Sequence, residues 1–183
     1  DRYDSVTTRM MENHFEESIT TLNEILASPA LSKEESIYGS ILKGYCYRKL
    51  YDFDRSLEIL DSVKIVIDKN LPAIDPIRGF FGEIRGDLGK FSGDYFNAYK
   101  YLEQSLEIRT KLFGEESCIT AISLKAIGEL YYFFFDDYNN ATPYFEKSFN
   151  IISKCKNAPS SLKVLAYYNL SLLYYRKKEH NYA

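Results

Sequence analysis

Tryptophan is absent, and histidine, methionine and cysteine are scarce: the 183 residues include two His, two Met and three Cys. His14 and His180 stand far apart, so neither has a partner at metal-ligand spacing and neither neighbours a candidate nucleophile. No GxGxxG, GxxxxGK[ST] or GxSxG stretch occurs, which leaves no nucleotide cradle and no nucleophile elbow. No catalytic residue, metal ligand or cofactor is therefore expected, and the chain does not read as an enzyme. Paired acids at 16–17, 34–35, 115–116 and 136–137 fall at expected helix starts, where the helix dipole favours them. Cys46, Cys118 and Cys155 are odd in number and widely spaced; three free thiols in a reducing, cytoplasmic setting are expected. No apolar run approaches the ~18 residues of a membrane span, and no signal-peptide core opens the chain. Neither a membrane nor, at net charge −3 and pI about 5.5, a nucleic acid is an expected partner. Nine Gly and five Pro are too few for a loop-rich β protein. The opening Asp1 and the close in mid-pattern at residues 180–183 read as a fragment of something longer.

What is abundant is aromatic and periodic. Seventeen Tyr and twelve Phe make up 16% of the chain. Four segments align on an aromatic: Phe15, Phe53, Tyr95 and Tyr138. Three residues later stand Ser18, Ser56, Ala98 and Ala141, all small. Seven later stand Leu22, Leu60, Leu102 and Phe145, all large; ten later stand Ile25, Val63, Ser105 and Ser148. Offsets of three, seven and ten share one face of a helix. The periods between the aromatics are 38, 42 and 43 residues.

A second periodicity precedes each segment. Gly44 and Tyr47, Gly128 and Tyr131, and Ser171 and Tyr174 are pairs three apart; Gly86 keeps the register, with Gly89 in the Tyr position. Each unit reads as helix, tight turn, helix. Gly44, Tyr47, Ser56, Gly86, Ala98, Gly128, Tyr131, Ala141, Ser171 and Tyr174 are the expected repeat-packing residues, because a small residue lets two backbones approach. The pattern predicts helices over 14–27, 33–50, 53–69, 75–91, 95–113, 117–134, 138–155 and 160–177. Pro29, Pro72, Pro76 and Pro159 fall between units, where helices stop.

A small residue, Tyr three later, a Gly-Asp-Tyr turn, then a small and a large residue resembles the tetratricopeptide repeat. Gly93-Asp94-Tyr95 with Ala98 and Leu102 is the best unit. Residues 105–117, 127–132 and 138–149 resemble the longer, roughly 42-residue repeats of kinesin light chain. The resemblance implies an all-α fold: a right-handed α-solenoid of antiparallel helix pairs. Its four to five units span about 1–28, 33–69, 75–113, 117–155 and 160–183, forming a single array over 1–183.

The resemblance also implies a function: a protein-interaction scaffold that binds a peptide or partner segment in the groove lined by each unit's first helix. At about 100° per residue, the groove positions are Ile41, Tyr45 and Arg48, then Glu83, Asp87 and Lys90. They continue with Lys125, Glu129 and Tyr132, then Tyr168, Leu172 and Tyr175. Asn169 matches the family's Asn that holds a ligand's backbone amide. Glu83 and Asp87 argue against a carboxylate or acidic ligand by like-charge repulsion. Arg176-Lys177-Lys178 reads as a solvated helix end, with a basic groove rim as the alternative. Two further readings stand beside the scaffold: a sensory or regulatory domain of a larger signalling protein or enzyme, and self-association through open solenoid ends.

Overall fold

The structure, a computed structural model, describes residues 2–180. Among the described residues it is all α, with nine helices and no strand. They are α1 (Asp4–Met11), α2 (Phe15–Leu26), α3 (Lys33–Lys49), α4 (Phe53–Asn70), α5 (Pro76–Ser92), α6 (Tyr95–Phe113), α7 (Cys118–Phe134), α8 (Tyr138–Lys154) and α9 (Ser160–His180). The expected antiparallel helix-pair fold is what the chain adopts. α1, which the periodicity did not define, precedes the first aligned segment. The helices divide between two compact units, Asp1–Ala73 and Ile74–Ala183.

The turns between paired helices share one backbone device. Asn13, Tyr51, Gly93 and Asp136 lie in the left-handed region, at φ 63°, 61°, 85° and 50°. Each stands two residues before the aromatic that opens the next helix. Only Gly93 adopts this conformation without a Cβ penalty. The following residue caps the helix: Asp52, Asp94 and Asp137 accept the backbone N–H of Arg55, Asn97 and Asn140. Between units the starts differ. Ser32 and Glu35 close a reciprocal capping box on α3. Asp75 caps α5 with Pro76 in its first turn.

In the first unit, α3 and α4 meet at Gly44. A Cβ on Gly44 would stand 2.8 Å from Leu60, and the Ser56 hydroxyl donates to the Gly44 carbonyl at 2.8 Å. The offset-three and offset-seven residues Ser18, Leu22, Ser56 and Leu60 are all fully buried. Tyr47 lies half-buried under the Arg55 guanidinium, 5.7 Å from its ring centroid. It lines a cleft of about 410 Å³ with Lys43, Glu58 and Ser62.

In the second unit the same contact recurs twice. A Cβ on Gly86 would stand 2.6 Å from Leu102, and one on Gly128 would stand 2.6 Å from Phe145. The repeat glycine therefore faces the large offset-seven residue of its partner helix. The offset-ten serines tie the pairs together: Ser105 donates to the Gly79 carbonyl at 2.7 Å, and Ser148 to that of Ala121 at 2.9 Å. Successive pairs interlock through an apolar layer of Ala98, Leu102, Ala126, Ile127 and Leu130. A second layer holds Ala141 and Phe145 against Leu173 of α9. Each fully buried Leu contributes roughly 1.5–3 kcal/mol of transfer free energy. Tyr131 stacks on Tyr144 with ring centroids 5.7 Å apart.

Two expectations need correction. Cys118 and Cys155 are not free thiols but a disulfide, with Cα atoms 6.1 Å apart, that fastens the start of α7 to the end of α8. Their 37-residue separation matches no short motif, and only the folded helix pair brings them together. Cys46 is the free cysteine, buried, its thiol pKa pushed up to about 12 by burial. Ser171 and Tyr174 hold the register of Gly128 and Tyr131 but are exposed, Tyr174 at 50%.

Candidate functional site

The expected groove residues occupy first helices in both units, and each unit treats them differently. In α3, Ile41 is fully buried and belongs to the core, so it lines no surface. Tyr45 is half-buried, with the Phe15 ring 6.3 Å away and the Arg48 guanidinium 5.2 Å from its own ring centroid. Arg48 is itself buried at 8% exposure, because its length lets it lie along apolar surface.

In the second unit, three of the expected residues converge on the carboxylate of a fourth. Glu129 of α7 takes Lys125 at 2.7 Å on one oxygen and Lys90 of α5 at 3.2 Å on the other. The Asn169 amide of α9 donates to the same oxygen as Lys125, at 3.2 Å. Lys90 also pairs with Asp87 at 3.0 Å. Lys90 and Asn169 are 5% and 3% exposed, so the network is largely shielded from water. Burial alone would raise the Glu129 pKa; the Lys125 and Lys90 ammoniums overcome it and hold the carboxyl down at about 2. Burial opposes the charge on Lys90, yet Asp87 and Glu129 together leave its pKa raised. The arrangement links α5, α7 and α9 by charge-assisted hydrogen bonds. It presents each acid already neutralised.

Glu83, the remaining acid of this surface, is also engaged. It accepts from Arg109 of α6, whose guanidinium further donates to Ser123 at 2.9 Å. Arg109 was not among the expected site residues. Its register position, fourteen after the aromatic, holds Ile67 and Ile152 in the neighbouring repeats. A charge in that apolar register is the sequence signal that would have marked it.

The remaining expected positions lie toward α9. Tyr132 is buried at 5%, packed against Tyr138 and Phe145, with its hydroxyl donating to the Leu172 carbonyl at 3.4 Å. Burial raises its pKa, against a lowering contribution from Arg176. Tyr168 and Tyr175 are 57% and 61% exposed, and Leu172 between them is half-buried. Spaced four and three apart, these three residues form one face of α9. Among the described residues no group of acids, His and Cys fit to hold a metal ion occurs. No described helix is long and apolar enough to cross a membrane.

This geometry, paired helices with a small residue at each crossing and stacked in register, defines a helix-pair solenoid. Residues 88–154 match the family model of the tetratricopeptide repeat. The fold is that of kinesin light chain-like repeat proteins. BtubC (BKLC) from P. vanneervenii superposes with a TM-score of 0.78 at 18% identity, over 92% of this chain and 68% of that one. The nearly identical TPR-like repeats of a Podosopora anserina protein assigned to kinesin light chain give 0.74 at 16% identity. That match covers 98% of this chain and 87% of the other. A point variant of the same repeats gives 0.74 at 16%, over 98% and 86%. No curated protein matches the sequence. Tetratricopeptide repeats in general mediate protein–protein interaction rather than catalysis.

Proposed function

We propose that this chain is a protein-interaction scaffold whose second unit recognises a segment of a partner protein on the surface carried by α5, α7 and α9. The observation that carries this reading is the α9 face of Tyr168, Leu172 and Tyr175, apolar and accessible, beside the compensated network around Glu129. Aromatic side chains offer large contact area at low entropic cost and dominate binding hot spots. The acids Glu83, Asp87 and Glu129 already have cationic partners, so a ligand charge gains little there. The segment best matched is therefore aromatic or aliphatic and carries little net charge. The cytoplasmic placement expected from three free thiols loses that support, because two of the cysteines are joined.

The test is affinity capture with residues 1–183, identification of the bound protein, and titration of its minimal segment by fluorescence anisotropy. Tyr168→Ala and Tyr175→Ala should each weaken binding ~10-fold or more without loss of helix signal in circular dichroism. Unchanged affinity in both variants would remove the groove reading.

A further inference from the structure

The first-unit cleft beside Tyr47 lies where the second unit is filled by rings. In the second unit Tyr131 has the Tyr144 ring stacked on it at 5.7 Å and the Tyr99 ring at 5.9 Å. Tyr47 stands at the register position of Tyr131, three after the repeat glycine. The positions of Tyr99 and Tyr144, four and six after their aromatics, hold Ile19 and Ile59 in the first unit. Two aliphatic side chains replace two rings, and Tyr47 lines an open cleft of about 410 Å³ formed by α2, α3 and α4. Leu26 and Ile59 give the cleft an apolar side. The Arg55 guanidinium, held by Asp52 at 3.2 Å, forms another wall over the Tyr47 ring. Two opposite charges face this cleft without meeting. Lys43 of α3 and Glu58 of α4 both line it, and neither forms an ion pair with any described residue. Elsewhere such charges pair along one helix, as Lys64 does with Asp68 and Lys111 with Glu107. Lys43 is half-buried at the register position where α7 has the fully buried Ile127.

We propose that this cleft binds a free aromatic α-amino acid. The ligand's ring stacks on Tyr47 as Tyr144 stacks on Tyr131. Its carboxylate accepts from the Lys43 ammonium, and its own ammonium donates to the Glu58 carboxylate. Each side chain then gains the charge-assisted hydrogen bond it lacks. One cation and one anion without partners suit a zwitterion, which brings both charges and no net charge. The volume falls within the range of small-molecule sites, roughly 300–1,000 Å³. The cleft belongs to the first unit and does not depend on the α9 face.

The probe is L-phenylalanine, titrated into the 1–183 protein by isothermal titration calorimetry. Saturable binding with a Kd below about 1 mM is expected. N-acetylphenylalanine lacks the ammonium and phenylalaninamide lacks the carboxylate; each should bind ~10-fold or more weaker. Leucine, which keeps both charges and lacks the ring, should also bind ~10-fold or more weaker. Lys43→Gln and Glu58→Gln should each lower the affinity for L-phenylalanine ~10-fold or more with an unchanged helix signal in circular dichroism. Lys100→Gln, in the cleft of about 440 Å³ over Ile127 and Tyr144, should change it less than ~2-fold. Should Lys43→Gln or Glu58→Gln lower the helix signal, the ligand series on the wild-type protein decides by itself. Absence of saturable binding overturns the proposal. So does N-acetylphenylalanine or leucine binding as tightly as L-phenylalanine, or unchanged affinity in the two folded variants.

Discussion

The pairs α5–α6 and α7–α8 use one register and two means of contact. Along α5 the positions facing α6 are Gly79, Gly82, Gly86 and Gly89; along α7 the same positions are Ala121, Leu124, Gly128 and Tyr131. On α5 the backbones themselves approach: a Cβ on Gly82 would stand 2.8 Å from the Tyr101 carbonyl oxygen, and one on Gly89 2.9 Å from the Ala98 Cβ. On α7 side-chain volume fills the space, and the Cys118–Cys155 bridge closes the end. The shared position, Gly86 or Gly128, is the one where a large residue of the partner helix crosses. The other three accept any size that their partner helix allows for. A repeat consensus therefore fixes where helices cross and leaves open how close they come.

The sharpest break of this comparison is Gly82→Leu, which installs on α5 the residue that α7 uses. A backbone oxygen cannot rotate away as a side chain can, so α5 and α6 must separate. Urea denaturation should show a loss of roughly 3 kcal/mol or more; a loss under ~1 kcal/mol would mean the close approach is not structural.

Glu129→Ala ranks next, because in a shielded site it removes the carboxylate that Lys125 pairs with and leaves Lys90 only its contact with Asp87. A loss of roughly 3 kcal/mol is expected, and Glu129→Gln, which keeps hydrogen bonding, should lose less. The sign with pH follows from the lowered pKa: its stabilisation is complete above the ordinary value of 4.5 and fades as pH falls toward about 2. Acid titration of the wild type monitored by circular dichroism should lose stability in that window, and Glu129→Gln should lose less of it.

The α7–α8 pair should respond to reductant where α5–α6 does not. Closing a loop across 37 residues is worth roughly 2–4 kcal/mol, so dithiothreitol should lower the unfolding midpoint. Thiol titration of the denatured, unreduced protein should find one reactive group, Cys46, and three after reduction. Three before reduction would remove the bridge.

The smallest effects compare the turns. Tyr51→Gly should stabilise by ~0.5–1 kcal/mol by relieving a left-handed β-carbon, and Gly93→Ala should destabilise by about the same amount. Thermal melts of the two variants moving in the same direction would contradict the shared turn geometry.

Most of the helix-pair architecture was legible because small residues at crossings and large residues seven apart are steric requirements, which periodicity records. The residues facing the groove were legible as positions but not as states. Lys90 and Asn169 looked like ligand-binding groups; their burial depends on Glu129, 39 and 40 residues away, and sequence spacing does not show which of several charges will pair. Arg109 hid in an apolar register for the same reason. The Cys118–Cys155 bridge was missed because its geometry exists only once α7 and α8 are antiparallel. The left-handed turn was visible at Gly93 alone, since Asn13, Tyr51 and Asp136 share the conformation without the residue that signals it.

Photo-cross-linking of the identified partner tests the central claim most directly. A benzophenone side chain would replace Tyr168 or Tyr175 on α9 and, as the comparison, Phe96 on α6, which is 79% exposed. Cross-links from the two α9 positions and none from Phe96 are the predicted result. Cross-links from Phe96 with none from α9 would place recognition on the second helices and contradict the account.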